Sequence, residues 1–230
     1  MLMKRRLLPG LALLTSLTGA HAARPMITDD ARLTDAQACQ LETWAHAHRQ
    51  RNELWALPAC NPGGNFEFTL GGALARAHGE ADSGAVLVQG KTLFRKLETN
   101  GFGIGLAAGY STQPGNGQSG APYFYFPASF SLADDRLVLH SNLGATYDRE
   151  NRGTRLTWGL GSEIQTSERL YVIAESYGQD QGRPFVQFGL RYWLVPNHVQ
   201  IDTTWGSQLG QIRDERWLSL GLRLITPPLF

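Results

Sequence analysis

The chain has 230 residues, with 21 Lys and Arg against 20 Asp and Glu, and a mean hydropathy of −0.24. No apolar run approaches the roughly twenty residues a membrane-spanning helix needs, and no basic patch marks nucleic acid as a partner. A modest hydropathy still suits a β-barrel, in which only one face of each strand meets lipid.

Lys4, Arg5 and Arg6, the apolar stretch Leu7 to Leu17 and the small-x-small site Ala20-His21-Ala22 have the layout of a secretory signal peptide. Residues 1–22 are therefore expected to be removed during Sec export. Losing those three cations leaves 18 basic against 20 acidic residues. No cysteine follows the cleavage site, so a lipid anchor is not expected. Residues 23–36, with Pro25 and the acidic pair Asp29-Asp30, read as a periplasmic lead-in, and 37–230 as the barrel.

If Arg49 and Gln50 form a hairpin tip, Cys39 falls opposite Cys60 and Trp44 opposite Trp55. Two cysteines in an exported chain then pair as a disulfide. The rival is a helix from Thr34 to Gln50, where Ala and Gln abound and Thr34 with Gln37 makes a weak capping box. Asn61-Pro62-Gly63-Gly64 is a turn, after which Phe66, Phe68, Leu70 and Leu74 alternate with Glu67, Thr69, Gly71 and Ala73. A strand over 85–97 follows, whose alternation slips near Gly90 as a bulge would.

From Gly101 the alternation is cleaner. Phe102, Ile104 and Leu106 oppose Gly103, Gly105 and Ala107. Phe124, Phe126, Phe130 and Leu132 share a face. Leu137, Leu139, Leu143 and Tyr147 oppose His140, Asn142 and Thr146. Leu156, Leu160 and Ile164 oppose Arg155, Gly159, Gly161 and Glu163. Strands over 170–177, 186–194 and 199–204 come next, and Leu218, Leu220, Leu222 and Leu224 alternate with Trp217, Ser219, Gly221 and Arg223.

Period-two alternation is what a strand shows when its faces meet different media. The count is twelve strands, with tight turns at Asn61, Glu98, Ala133, Ser167 and Pro196 all on one side. The longer stretches at Ser111, Asp148, Gly178 and Trp205 all fall on the other. The predicted fold is all-β, a transmembrane up-and-down antiparallel barrel in the outer membrane. A soluble β-sandwich would not need so many small residues on its polar face. Tyr110, Tyr147, Tyr177 and Trp217 fall near outer strand ends, and Phe102, Phe130, Tyr192 and Trp193 near inner ones, as two interfacial girdles would.

Inward-facing Glu42, Glu67, Glu163 and Asp202 are placed to pair with Arg155, Arg191 and Arg223, because buried charges are costly unless paired. The alternating glycines at 101–105 and 159–161 relieve crowding inside. His46 and His48 both face inward, and a hydrogen-bonded pair with Glu53 is the reading, with no metal or other cofactor expected.

Several segments carry a resemblance to exported Gram-negative outer-membrane β-barrel families, among them the small-molecule transporter families of the phenol-degradation type. They are Arg24-Pro25, Thr28-Asp29-Asp30-Ala31, Cys39-Gln40-Leu41-Glu42, Cys60-Asn61-Pro62 and Leu220-Gly221-Leu222-Arg223. The resemblance implies a barrel in the outer-membrane bilayer that passes a small solute. The terminal Phe230 resembles the signal read by the barrel assembly machinery, although Pro227-Pro228 interrupts that pattern. Outer-membrane phospholipases are also twelve-stranded, with a His and a Ser sharing one face. Here His140 and Ser141 are adjacent, so a strand sends them to opposite faces, and no catalytic residue is assigned. The functions in view are a narrow channel with a charged lumen, a non-conducting structural or surface-interaction barrel as the alternative, and, least favoured, an outer-membrane lipid hydrolase.

Overall fold

Strands with two such different faces leave backbone N–H and C=O groups unpaired along both edges, and in lipid each must find a partner. A closed ring removes the edges. The computed structural model describes residues 26–77, 82–112, 120–148, 152–210 and 215–229, and in them the chain closes into that ring. Among the described residues there are twelve antiparallel strands: β1 (Cys39–His48), β2 (Arg51–Cys60), β3 (Phe66–Ala77), β4 (Ser83–Arg95), β5 (Phe102–Ser111), β6 (Ala121–Leu132), β7 (Leu137–Asp148), β8 (Gly153–Gln165), β9 (Leu170–Gln179), β10 (Phe185–Val195), β11 (Val199–Gln208) and β12 (Arg216–Ile225). Each pairs with its sequence neighbours, and β12 closes onto β1. The expected signal peptide and Phe230 lie outside the described residues.

The first hairpin adopts the anticipated register, Cys39 against Cys60 and Trp44 against Trp55. The helical alternative loses because β1 is paired along both edges, to β2 and to β12, and that context overrides the helix propensity of Ala and Gln. The disulfide Cys39–Cys60 staples the base of the hairpin. The bulge sits between Leu93 and Arg95 rather than at Gly90, which keeps register with Phe68 on one side and Ala108 on the other. A Cβ at Gly90 would meet the Phe66 ring at 3.0 Å, so the glycine answers a close packing contact there.

One end of the barrel carries the connections 61–65, 96–101, 133–136, 166–169 and 196–198, and the other carries 49–50, 78–82, 112–120, 149–152, 180–184 and 209–215. The contrast in length is clear for 112–120 and 209–215. At 49–50, by contrast, the long-loop end has a turn as tight as any opposite.

Outward positions hold a band of exposed apolar side chains, including Leu70, Leu74, Leu143, Leu160, Leu218 and Leu220, with Leu74 69% exposed. A continuous apolar belt of this kind suits lipid, not water. Tyr110, Tyr147, Phe102, Phe130 and Tyr192 remain exposed near strand ends, as the girdle reading expects. Trp193 and Trp217 are instead buried inside, and Tyr177 lines the interior. Period two accounts for this, since each is adjacent in sequence to an outward residue or shares parity with an inward one such as Glu175.

Candidate functional site: the occupied lumen

Twelve strands with small inward residues enclose more space than their own side chains fill. Residues 26–36, expected as a periplasmic lead-in, run through that space. The segment rises from the short-turn rim, where Gln37 N–H donates to the Asn61 carbonyl at 2.7 Å. Its irregular backbone makes no ladder with the wall, so its N–H groups need side-chain acceptors.

The wall supplies them at every level. Glu67 on β3 accepts from Thr34 N–H at 2.8 Å and from Thr34 Oγ1 at 2.5 Å, while Asn61 Nδ2 donates to the Thr34 carbonyl at 2.7 Å. Ser129 Oγ on β6 accepts from Ala31 N–H at 2.8 Å. Asn142 on β7 clasps Asp29 through both of its backbone groups, at 2.7 Å each. At mid-barrel the Glu175 carboxylate on β9 accepts from Ile27 N–H and Thr28 N–H, both at 2.7 Å, and also from Gln187 Nε2.

The charges of the segment are matched in the same way. Lys91 Nζ on β4 lies 2.9 Å from Asp29 Oδ1 and 3.4 Å from Asp30 Oδ1, and Tyr125 Oη donates to Asp29 Oδ2 at 2.7 Å. Arg32 Nη1 is 3.6 Å from Asp30 Oδ2. The inner-face glycines make the room: a Cβ at Gly159 would fall 2.5 Å from Thr28 Oγ1, and one at Gly161 2.3 Å from Met26 Cε. At Gly159 and Gly161 the crowding relieved is that of the segment itself, whereas a Cβ at Gly101, Gly103 or Gly105 would meet Glu98, Leu97 or Thr92.

Of the anticipated lumen charges, Glu67, Glu163, Arg191, Asp202 and Arg223 are buried and Glu42 and Arg155 half-buried. Arg191 Nη1 pairs with Glu163 Oε1 at 2.7 Å and stands opposite Asp202 in the β10–β11 register. Arg223 Nε is 3.7 Å from Glu42 Oε1 and donates to Gln40 Oε1 at 2.8 Å. Glu67 is committed to Thr34 rather than to an arginine of the wall. Sequence reasoning missed Lys91, Glu175, Asp29 and Asp30, which hold the segment. Strand parity would have turned both Lys91 and Glu175 inward; Lys91 stands opposite Glu67 in the β3–β4 register, whereas Glu175 faces Gly161 and Gln187, and that missing opposite charge was the available signal for Glu175.

His140 does have a serine partner, but across the ladder. Ser129 Oγ is 2.8 Å from His140 Nδ1, and His140 Nε2 lies 3.2 Å from Glu163 Oε1, off the direction of a hydrogen bond. Ser129 is fully buried and its oxygen is engaged by Ala31. The cluster seats the segment, and Ser129 and His140 are both buried.

Two cavities flank the segment. One of about 420 Å³ opens at the long-loop end, bounded by Ile27, Thr28, Trp44, His46, Glu53, Tyr125 and Tyr177. The other, about 470 Å³, opens at the short-turn end between residues 31–36 and Lys96, Glu98 and Asp135. The void left between them, among Asp29, Asp30, Glu67, Lys91 and Arg223, is about 30 Å³, room for about one or two waters.

A closed twelve-stranded barrel with an apolar exterior and a polar, occupied interior has the architecture of outer-membrane porin-type barrels. The family model described as "Uncharacterised conserved protein UCP029691" matches residues 10–225, and the chain belongs to that family. Among solved structures, the fold is similar to a KdgM porin in complex with disordered oligogalacturonate, with 11% identity, a TM-score of 0.62 and coverage of 80% of this chain and 98% of that one. It is also similar to the NanC porin, with 8% identity, a TM-score of 0.60 and coverage of 83% and 100% respectively. No curated protein matches the sequence. At these identities the likeness establishes the fold.

Proposed function

We propose that the protein is an outer-membrane conduit for a small polar solute, held shut by its own N-terminal segment and opened when that segment leaves the lumen. In this reading the signal peptide is removed during Sec export, the assembly machinery inserts the barrel, and the short-turn end faces the periplasm. The observation that carries it is the nature of the seal. Residues 26–36 are held by hydrogen bonds and ion pairs to wall side chains, with no strand pairing, and these are contacts that water takes over when the segment leaves. A seal meant to be permanent would be expected to use apolar packing or ladder hydrogen bonds.

With the segment gone, the wall presents Glu42, Glu53, Glu67, Glu163, Glu175 and Asp202 against Arg51, Lys91, Arg155, Arg191 and Arg223. That excess of carboxylate favours cations and neutral polar solutes over a polyanion such as the oligogalacturonate bound to KdgM. The resemblance to phenol-degradation-type barrels supports passage of a small molecule, and one of its segments, Thr28 to Ala31, is the part that seals the lumen.

Planar-bilayer recording tests the proposal. The full chain is expected to be mostly silent, and a variant lacking residues 26–36 to carry a steady current preferring K⁺ over Cl⁻. Silence of that variant, folded and inserted, contradicts the proposal and leaves the sealed structural barrel as the better reading.

A further inference from the structure

Two imidazoles and one carboxylate converge at the long-loop end of the lumen, away from the contacts that hold the N-terminal segment. His46 and His48 lie two residues apart on β1 and share its inward face. Glu53 stands directly opposite His46 on β2. One ligand atom from each of the three lies within 4.8 Å of the others.

The hydrogen-bonded His–Glu pair anticipated from sequence does not form. His46 Nδ1 is 3.9 Å and His48 Nε2 is 3.8 Å from the Glu53 oxygens, beyond hydrogen-bond reach. The Nε2 atoms of both histidines are buried and have no hydrogen-bond partner among the described residues. Buried ring nitrogens are ordinarily satisfied, so each ring is short of a partner. A tetrahedral metal with bonds of about 2.1 Å sets its donors roughly 3.4 Å apart, about half an ångström inside the two His–Glu53 distances and within the 4.8 Å span of the three donors.

The surroundings hold the donors in place. The Trp217 ring lies 6.2 Å from the His46 ring and 5.8 Å from that of His48, and Trp44 flanks His46 at 6.3 Å. Trp55 Nε1 donates to Glu53 Oε2 at 3.0 Å and Arg51 Nε lies 2.8 Å from Oε1. Each oxygen keeps a lone pair beyond those contacts, so the two groups act as outer partners that orient the carboxylate. His46 and Glu53 also line the 420 Å³ cavity, which leaves one side of the cluster open.

We propose that His46, His48 and Glu53 form a binding site for a divalent cation of the Zn²⁺, Ni²⁺ and Cu²⁺ class, with a further coordination position open to the cavity. Two nitrogens and one carboxylate suit these metals, whereas Ca²⁺ and Mg²⁺ prefer oxygen donors throughout. Arg51 is the built-in competitor, a cation already on Glu53. Its side chain is 48% exposed and free to swing into water when a metal arrives. The site stands whether or not the barrel conducts.

Titration of the refolded full chain with Zn²⁺ against a chromophoric chelator, and with Co²⁺ followed by its visible absorption, tests the proposal. One Zn²⁺ per chain is expected, with Mg²⁺ and Ca²⁺ failing to displace it. His46→Ala with His48→Ala should weaken binding by about tenfold or more, since even outer-shell changes cost about that much. Glu53→Gln should weaken it and Arg51→Ala should tighten it, and these opposite directions decide the matter if the double variant fails to fold. The proposal is overturned if the folded wild-type chain binds none of Zn²⁺, Ni²⁺ and Cu²⁺. It is overturned equally if the histidine variant, folded, binds as the wild type does, or if Arg51→Ala and Glu53→Gln change affinity in the same direction.

Discussion

Replacing Glu175 with Ala removes the clasp on the inner tip of the N-terminal segment. The carboxylate accepts from Ile27 N–H and Thr28 N–H at 2.7 Å each, and a hydrogen bond to a charged group contributes about 1.5–3 kcal/mol. The gross loss is therefore about 3–6 kcal/mol, partly offset because a buried carboxylate no longer has to be desolvated. A net weakening of about 3 kcal/mol raises the population of the released tip by roughly a hundredfold. Hydrogen exchange read by mass spectrometry on peptides covering residues 27–34 measures this without reference to conduction. Exchange there should speed up by about that factor, while the amides of β8, β9 and β10 keep wild-type protection. Glu175→Gln, which retains one acceptor oxygen, should fall between. Unchanged protection of residues 27–34 in Glu175→Ala would refute the account of how the segment is held.

Two further outcomes follow from the wall. Replacing both Cys39 and Cys60 with Ser removes a crosslink spanning 21 residues and should lower stability by about 3 kcal/mol, read as a shift in the folding midpoint in vesicles, with the barrel still formed. Leu143, 64% exposed on the outward face of β7, becomes costly as Arg by about 2–4 kcal/mol if it meets the bilayer interior. Leu143→Phe should be nearly neutral in the same assay, and equal tolerance of the two would contradict the lipid-facing assignment.

The wall of the barrel was legible in the sequence because a strand's period is two and its faces met different media. Once Cys39 stood opposite Cys60, the register of the first hairpin followed, and one-residue alternation assigned Glu163, Arg191 and Arg223 to the interior. The occupant of the lumen was not legible. Its partners lie far away in the chain, 148 residues for Ile27 and Glu175 and 113 for Asp29 and Asn142, and an irregular polar segment has no period to betray which wall it meets. The bulge was misplaced for a similar reason: Gly90 looked like a break in alternation, but its cause is the Phe66 ring beside it. The spacing of His46 and His48 made a shared face plain, while the gap between them and Glu53 needed coordinates.

If residues 26–36 are the gate, a reversible lock on that segment stops conduction. An ideal Cβ at Gly159 lies 3.3 Å from the Thr28 Cβ, close to the separation of about 3.5–4.5 Å that a disulfide spans. Thr28→Cys with Gly159→Cys, made in the Cys39→Ser, Cys60→Ser background, ties the segment to the wall under oxidising conditions. Single-channel recording should then show no openings, with current appearing when reductant is added to the same bilayer. Current that is the same before and after reduction, with the crosslink verified by mass, would contradict the account.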